Sequence, residues 1–355
     1  MSSTLARAEP QRLGSPPSPA YRAPWWLPGG HLQTVYSATL APRRSVAYRR
    51  ERWDTTPNGV ADGDFIDVDI VTKAQDILPQ ASAAAAMAAG LKPTLVLFHG
   101  LEGSSQSPYA LALMRMCLAR GWNGMVVHFR GCSGEINRLP RAYHSGDATE
   151  IDWVLRKVKA RIGAAPLYAA GVSLGGNALM KWLGERGSDA ATLVRAAAAV
   201  SAPIDLMASG DALGRGFNLF YAKHFLATMK RKSLIKLRQH PGIFDAAAVA
   251  RSRTLREFDN IVTAPLHGYR DTDDYWTRAS SKPGLVDVQV PALLINARND
   301  PFLPAQALPT RQQVSSWIHL DFPQHGGHVG FSSPRFPGRA EWLPQRIFHF
   351  FEHGL

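Results

Sequence analysis

Long apolar runs are missing from this 355-residue chain: no stretch of 18 or more apolar residues occurs, so a membrane-spanning helix is not expected. Cysteine is almost missing as well. Only Cys117 and Cys132 are present, too few for a disulfide framework and without the CxxC spacing of a metal site, which points to a reducing, cytoplasmic setting. The first 25 residues are rich in Pro, Ser and Arg and lack the 7 to 15 residue apolar segment of a secretory signal, so residues 1–25 read as a disordered tail. Acidic residues are in the minority, 28 Asp+Glu against 40 Lys+Arg, leaving a formal charge of +12. Attraction to polyanions is therefore physically reasonable. The cations are scattered, however, and the densest cluster, "MKRKSLIKLRQH" at residues 229–240, interleaves five Lys/Arg with apolar positions at helical spacing. Such a segment reads first as a solvated helix face and second as a basic amphipathic helix at an anionic membrane surface. No nucleic-acid-binding signature accompanies it, so no nucleic-acid partner is expected.

What is present is strand and helix in alternation. "GDFIDVDIV" at residues 63–71 alternates apolar and polar residues like a half-buried antiparallel strand. The Ala-rich, nearly charge-free segment at residues 77–93 then reads as a surface loop or a short accessory helix. Beyond it, "TLVLF", "GMVVHF", "PLYAAGV", "RAAAAVSAP", "PALLINA" and "WIHLDF" are short apolar runs suited to strands buried on both faces. Amphipathic stretches such as "YALALMRMCLARG" and "ATEIDWVLRKVKARIG" separate most of them. The pattern predicts one α/β domain over residues 26–355, with a mostly parallel central sheet and helices on both faces. Residues 205–283 contain no convincing strand but do contain the helix candidate "FNLFYAKHFLATMKRKSL". An insertion of that length beside the C-terminal ends of the strands would act as a lid over a site.

Within "GVSLG", Ser173 stands at the turn between a predicted strand and a predicted helix, the context in which GxSxG has mechanical meaning. Glycines two positions either side permit a tight turn, and the serine hydroxyl is lifted clear of the sheet. A hydroxyl becomes a competent nucleophile only when a base takes its proton. With the order serine, acid, histidine, the base falls after Ser173: His328 in "HGGHVGF" is chosen, with His325 as competitor. His349 and His353 fall in the terminal helix and read as structural. Asp300, directly after "PALLINARN", is the chosen acid and Asp205 its competitor. Backbone amides of Leu174 and Leu101 are the candidate oxyanion donors, and His99 reads as an organiser of the loop after "TLVLF". Cys132 reads as part of a tight Gly-flanked loop, while His144 and Asp147 either line the pocket or cap the next helix.

The strings "PWWLPGGHLQT", "HGLEGSSQSPY", "VVHFRGCSGEINRLPRAYHSGD", "GVSLGGNALMKWLGE" and "GGHVGF", with residues 259–300, resemble the YheT-like α/β-hydrolases, bacterial relatives of the ABHD1/ABHD3-type esterases and lipases. The resemblance runs from Pro24 to the C-terminus and implies an α/β-hydrolase fold with a Ser173–Asp300–His328 triad. Two aromatic residues typical of the family are matched by Tyr275 and Trp276. Eukaryotic relatives carry an N-terminal anchor; lacking such an apolar run, this chain is not expected to inherit membrane attachment from them. The expected function is a serine carboxylesterase acting on short-to-medium acyl esters, monoacylglycerols included, without metal or organic cofactor. Acyl transfer and thioester hydrolysis by the same triad are the alternatives. A non-catalytic membrane-surface binding protein is the alternative of a different class. The expected partners are a small-molecule ester and, through residues 230–232, the periphery of an anionic membrane.

Overall fold

Eight short runs of apolar or alternating residues lie side by side in one sheet of the computed structural model, which describes residues 20–56, 61–72 and 91–354. The strands are β1 Ala47–Asp54, β2 Phe65–Thr72, β3 Thr94–Phe98, β4 Asn123–His128, β5 Leu167–Val172, β6 Ala196–Val200, β7 Ala292–Ile295 and β8 Ile318–Asp321. Their spatial order is β1-β2-β4-β3-β5-β6-β7-β8. β2 pairs antiparallel with both β1 and β4, and the remaining pairs are parallel. Six predicted buried strands and the antiparallel strand are thus present to within two or three residues. β1 was not foreseen. Its sequence "AYRRERWD" carries charge on both faces, and it forms because Arg50 and Arg52 stand directly opposite Asp69 and Asp67 in register. Their guanidinium groups bind those carboxylates at 2.7 and 2.9 Å. A charged edge strand also resists further strand addition.

Among the described residues nine helices follow or cover these strands: α1 Gly29–Thr39, α2 Pro108–Arg120, α3 Ala148–Ile162, α4 Leu174–Arg186, α5 Leu206–Leu213, α6 Asn218–Gln239, α7 Ala246–Arg251, α8 Thr272–Ala279 and α9 Trp342–His353, short turns aside. Alternation along the strands produces two cores. Leu95, Leu97, Leu293 and Ile295 pack with α2 and α9, including Leu113, Met114, Ile347 and Phe348. Val96, Phe98, Ala169 and Leu294 face the other way and pack with α3 and α4, including Val154, Leu179 and Trp182. Helix ends follow local chemistry: α3 is capped by Asp147, whose carboxylate accepts from the Glu150 amide at 3.2 Å, and α2 stops at Gly121 in the left-handed region (φ +70°).

Between β6 and β7 the chain runs through α5 to α8 and includes one turn of π-helix at Asp259–Thr263. These elements build the predicted helical insertion. The predicted tail lies mostly outside the described residues, but its end is already packed: Tyr21 meets Phe331 edge-on at 5.2 Å and donates to the Ser332 carbonyl. The Ala-rich segment lies largely outside the described residues. Among the described residues no helix is long and apolar enough to cross a membrane.

One glycine allows a direct test of packing against propensity. Gly184 lies inside α4, where Ala is ordinarily worth ~1 kcal/mol more than Gly. A Cβ there would sit 2.5 Å from the Gly284 carbonyl oxygen. Overpacking of that kind costs ~1–3 kcal/mol and reverses the sign. Denaturant unfolding of Gly184→Ala should therefore show a less stable protein; a more stable one would mean that the two segments separate freely.

Candidate active site

Ser173 leaves β5 with φ +52° and ψ −122°, a conformation that L side chains rarely adopt. Close backbone approach makes room for it. A Cβ on Gly171 would lie 2.4 Å from the Gly175 carbonyl oxygen, and one on Gly175 would lie 2.4 Å from that of Phe98. The Ser173 amide donates to Val200 O at 2.8 Å and the Gly175 amide to His99 O at 3.1 Å, so the turn is pinned to the strands on both sides. The hydroxyl is thereby held above the C-terminal edge of the sheet.

His328 and Asp300 arrive from loops after β8 and β7. His328 Nε2 lies 3.0 Å from Ser173 Oγ, and Nδ1 lies 3.0 and 3.2 Å from the two Asp300 carboxylate oxygens. Asp300 is buried and its Oδ1 also accepts from the Phe302 amide at 2.8 Å. The Phe302 ring stacks on the imidazole with centroids 4.1 Å apart. His325, the competitor, is exposed in a separate depression, and Asp205 caps α5 by accepting from the Ala208 amide.

What orients the histidine loop was not anticipated. α1 lies against it: Gln33 Oε1 accepts from the Gly326 amide, Thr34 Oγ1 from the His328 amide at 2.8 Å, and Asn299 Oδ1 from the Gly327 amide. Gly30 touches Asn299 so closely that a Cβ would lie 1.9 Å from its carbonyl oxygen. Val329 is forced to φ +57°, and its amide is held by Ser201 Oγ. Three glycines in "HGGHVG" and Gly30 in "PGGH" were the available signal, since each permits an approach that a side chain would block.

The amides along the two loops near Ser173 are nearly all used. Gly100 N donates to Tyr109 Oη, Glu102 N to Tyr143 Oη and Gly103 N to Gly100 O. Leu101 and Leu174 are left over, with no hydrogen bond to their amides among the described residues. His99 is fully buried: Nδ1 donates to Gly100 O at 2.7 Å and Nε2 accepts from Phe129 N at 3.1 Å. Burial brings its pKa down to about 3, so it organises the loop as a neutral ring. Cys132 is half-buried beside Lys232, and burial raises its thiol to about 11 against the pull of that lysine.

Two spaces meet at Ser173 and His328. An apolar cavity of about 160 Å³ runs beneath the insertion, lined by Leu101, Leu174, Leu206, Phe225, Phe258 and Trp276 among others. An open groove of about 1010 Å³ lies between the oxyanion loop, α1 and α6. The basic stretch of α6 turns partly inward, contrary to the expected solvated or membrane-facing role. Lys230 donates to the Ala250 and Ser252 carbonyls, Lys232 to Glu102 at 2.9 Å, and buried Lys236 to the Asn137 and Leu139 carbonyls. Lys232 and Lys236 fasten the insertion to the sheet domain, while Lys230 ties α6 to the end of α7 within it. The two readings of His144 and Asp147 divide between them: His144 lines the cavity and Asp147 caps α3.

Such a geometry can move a proton from serine to histidine and hold an oxyanion, and comparison with known proteins shows the family that carries it. Residues 93–332 match the family described as alpha/beta hydrolase fold. YheT of Escherichia coli (strain K12) is 39% identical over 319 residues, 89% of this chain and 88% of that protein. The chain belongs to the α/β-hydrolase family. Human "Phospholipase ABHD3" is 31% identical over 340 residues, 93% of this chain and 78% of that protein. The "Monoacylglycerol lipase" of Saccharomyces cerevisiae is 31% identical over 271 residues, 73% of this chain and 60% of that protein. In fold the chain is similar to the Pyrococcus furiosus esterase Pf2001, with TM-score 0.52 and 14% identity over 95% of this chain and 98% of that one. As a member of this family it is a hydrolase of ester bonds.

Asp259, on the π-turn, lines the apolar cavity and accepts from the Trp276 indole and the Thr263 hydroxyl. Burial outweighs those bonds and raises its pKa to about 6. A carboxyl whose folded pKa lies above its unfolded value contributes stability that is complete below about 3.8 and lost as pH rises through about 6. Relative to Asp259→Asn, the parent should gain roughly 2–3 kcal/mol between pH 7 and pH 4. Parallel stability curves for the two proteins across that window would show that Asp259 stays ionised.

Proposed function

We propose that the chain hydrolyses carboxylic esters of lipid type, with short-to-medium acyl chains, through an acyl-enzyme on Ser173. The reading is carried by one observation: the unbroken Ser173–His328–Asp300 hydrogen-bond chain beside two unpaired amides, at the mouth of an apolar cavity. Ser173 Oγ attacks the ester carbonyl carbon as His328 Nε2 takes its proton. Asp300 holds Nδ1–H and stabilises the imidazolium. The carbonyl oxygen, now anionic, rests on the Leu101 and Leu174 amides. Collapse breaks the ester C–O bond, and the departing alkoxide takes the proton from Nε2. Water then attacks the acyl-enzyme, gives its proton to Nε2, and the acid leaves as the proton returns to Oγ.

The smaller, apolar cavity suits the acyl chain and the larger groove suits the alcohol portion, which must depart. The names of the ABHD3 and yeast relatives support a lipid ester. Thioester hydrolysis and acyl transfer use the same groups, but the open groove gives water access to the acyl-enzyme and favours hydrolysis. A purely binding role has no use for so complete a proton chain.

Two experiments test the reading. Ser173→Ala should remove labelling by a fluorophosphonate while leaving the fold intact, and Asp300→Asn should lower turnover by ~10⁴. Labelling that survives in folded Ser173→Ala, or an Asp205→Asn loss larger than that of Asp300→Asn, would overturn the assignment. The cavity is similar in size to one that accepts benzene, so it takes about six carbon atoms. Specificity on p-nitrophenyl esters should climb ~3–4-fold per CH₂ to about hexanoate and then level; a profile flat from acetate would remove the acyl-cavity assignment.

A further inference from the structure

The outer edge of the groove carries large apolar side chains with no packing partner sufficient to cover them. Trp25 is 88% exposed, Phe336 77%, Phe220 62%, Phe217 59% and Leu32 53%. They belong to three segments distant in sequence, and α1 carries residues of both ring clusters that hold Phe217, Phe220 and Phe336. Phe217, beside the start of α6, lies 4.7 Å from His31 on α1 and 5.9 Å from Phe220. Leu32 and Tyr36 sit one helical turn apart on α1. Tyr36 meets Trp26 at 5.0 Å, and Trp26 meets Phe336 at 5.3 Å. The result is one crest, and Phe220, Val35 and Ala38 continue it into the groove that ends at Ser173 and His328.

Charge around the crest has one sign. Residues 20–46, 214–244 and 322–340, which supply it, contain no Asp or Glu at all in a chain that has 28. Exposed Arg22, Arg43, Arg44, Arg215, Lys223 and Arg335 lie in these segments, and none pairs with a carboxylate among the described residues. Acidic residues elsewhere are heavily used by arginine, as at β1 and β2. An aromatic and aliphatic surface whose supplying segments carry unpaired cations matches a headgroup layer, with apolar groups reaching the acyl boundary and guanidinium groups meeting phosphate. A second copy of the same face would bring cations against cations, which disfavours self-association there.

We propose that this crest docks on an anionic phospholipid bilayer and holds the mouth of the groove against lipid. The contact is not the lysines at residues 230–232, since Lys230 and Lys232 are fastened internally. The inference deepens the lipid-ester reading and rests on it for its purpose, but docking itself requires no turnover.

The test is flotation of the full chain with vesicles of phosphatidylcholine alone or mixed with phosphatidylglycerol. The parent and Ser173→Ala should both float with the anionic vesicles and be released by ~0.5 M salt, which shortens the reach of charge to a few ångström. Trp25→Ser, Leu32→Ser and Phe217→Ser combined should lower partitioning by about tenfold or more. Arg22→Gln, Lys223→Gln and Arg335→Gln combined should remove the preference for anionic vesicles. Both triple variants should hydrolyse a soluble p-nitrophenyl ester as the parent does, which shows that they fold. Three results would overturn the proposal: no flotation of the parent at low salt, flotation of the apolar variant equal to the parent's, or a parent dimer in sedimentation that the apolar substitutions dissolve. Flotation of a parent that cleaves no ester would leave the docking in place and remove the hydrolase mechanism instead.

Discussion

The site depends on a steric constraint at the turn after β5. Ser173 can present its hydroxyl only if its backbone enters a region hostile to side chains, and that happens only where neighbouring backbones come closer than a Cβ would allow. Gly171 and Gly175 supply that closeness, against each other and against the Phe98 carbonyl. The same pinning that strains Ser173 also spends the Ser173 and Gly175 amides and leaves the Leu174 amide free. A strained residue of this kind persists because the surrounding sheet over-determines it. The position of the Ser173 hydroxyl and the unpaired Leu174 amide are therefore two outcomes of one packing solution.

The histidine side of the site is solved by a different device. Its loop has no strand or helix of its own to hold it, so α1, some 290 residues away in sequence, supplies Gln33 and Thr34 as hydrogen-bonding partners. The oxyanion loop is held likewise from outside, by Tyr109, Tyr143 and, through Glu102, by Lys232 of the insertion. Glu102 itself sits at φ +55°, so this loop carries strain as well. A roof tied to the oxyanion loop by an ion pair beside the groove makes roof and reaction geometry one mechanical unit. Acidic side chains are consumed inside the sheet domain, notably by Arg130 with Asp64 and Glu150. What remains at the groove edge is apolar and cationic.

Local pattern was enough for much of this. Strands β3 to β7 are short, largely apolar runs buried on both faces, so their hydrophobicity marks them without help from context, and β8 is marked by Ile318 and Leu320 at the sheet edge. GxSxG between a strand and a helix points to Ser173, and chain order then selects His328 and Asp300 from among twelve histidines and many carboxylates. Strand β1 was invisible because its charged residues acquire β structure only through Asp67 and Asp69 across the ladder. The basic stretch misled for a related reason: spacing shows that its lysines share a helix, not that carbonyl oxygens from residues 137, 139, 250 and 252 wait for them.

The sequence by itself determined the sheet, the serine turn and the order in which acid and base follow it, because each rests on contacts between near neighbours or on a one-residue steric rule. Tertiary structure alone decided which glycines are approached, which amides stay unpaired, which cations face inward, and how Trp25, Leu32, Phe217 and Phe336 come to share one surface. Those outcomes depend on groups hundreds of residues apart meeting within a few ångström. Hydrogen bonds and ion pairs fall off over that distance, so nothing in the local pattern carries them.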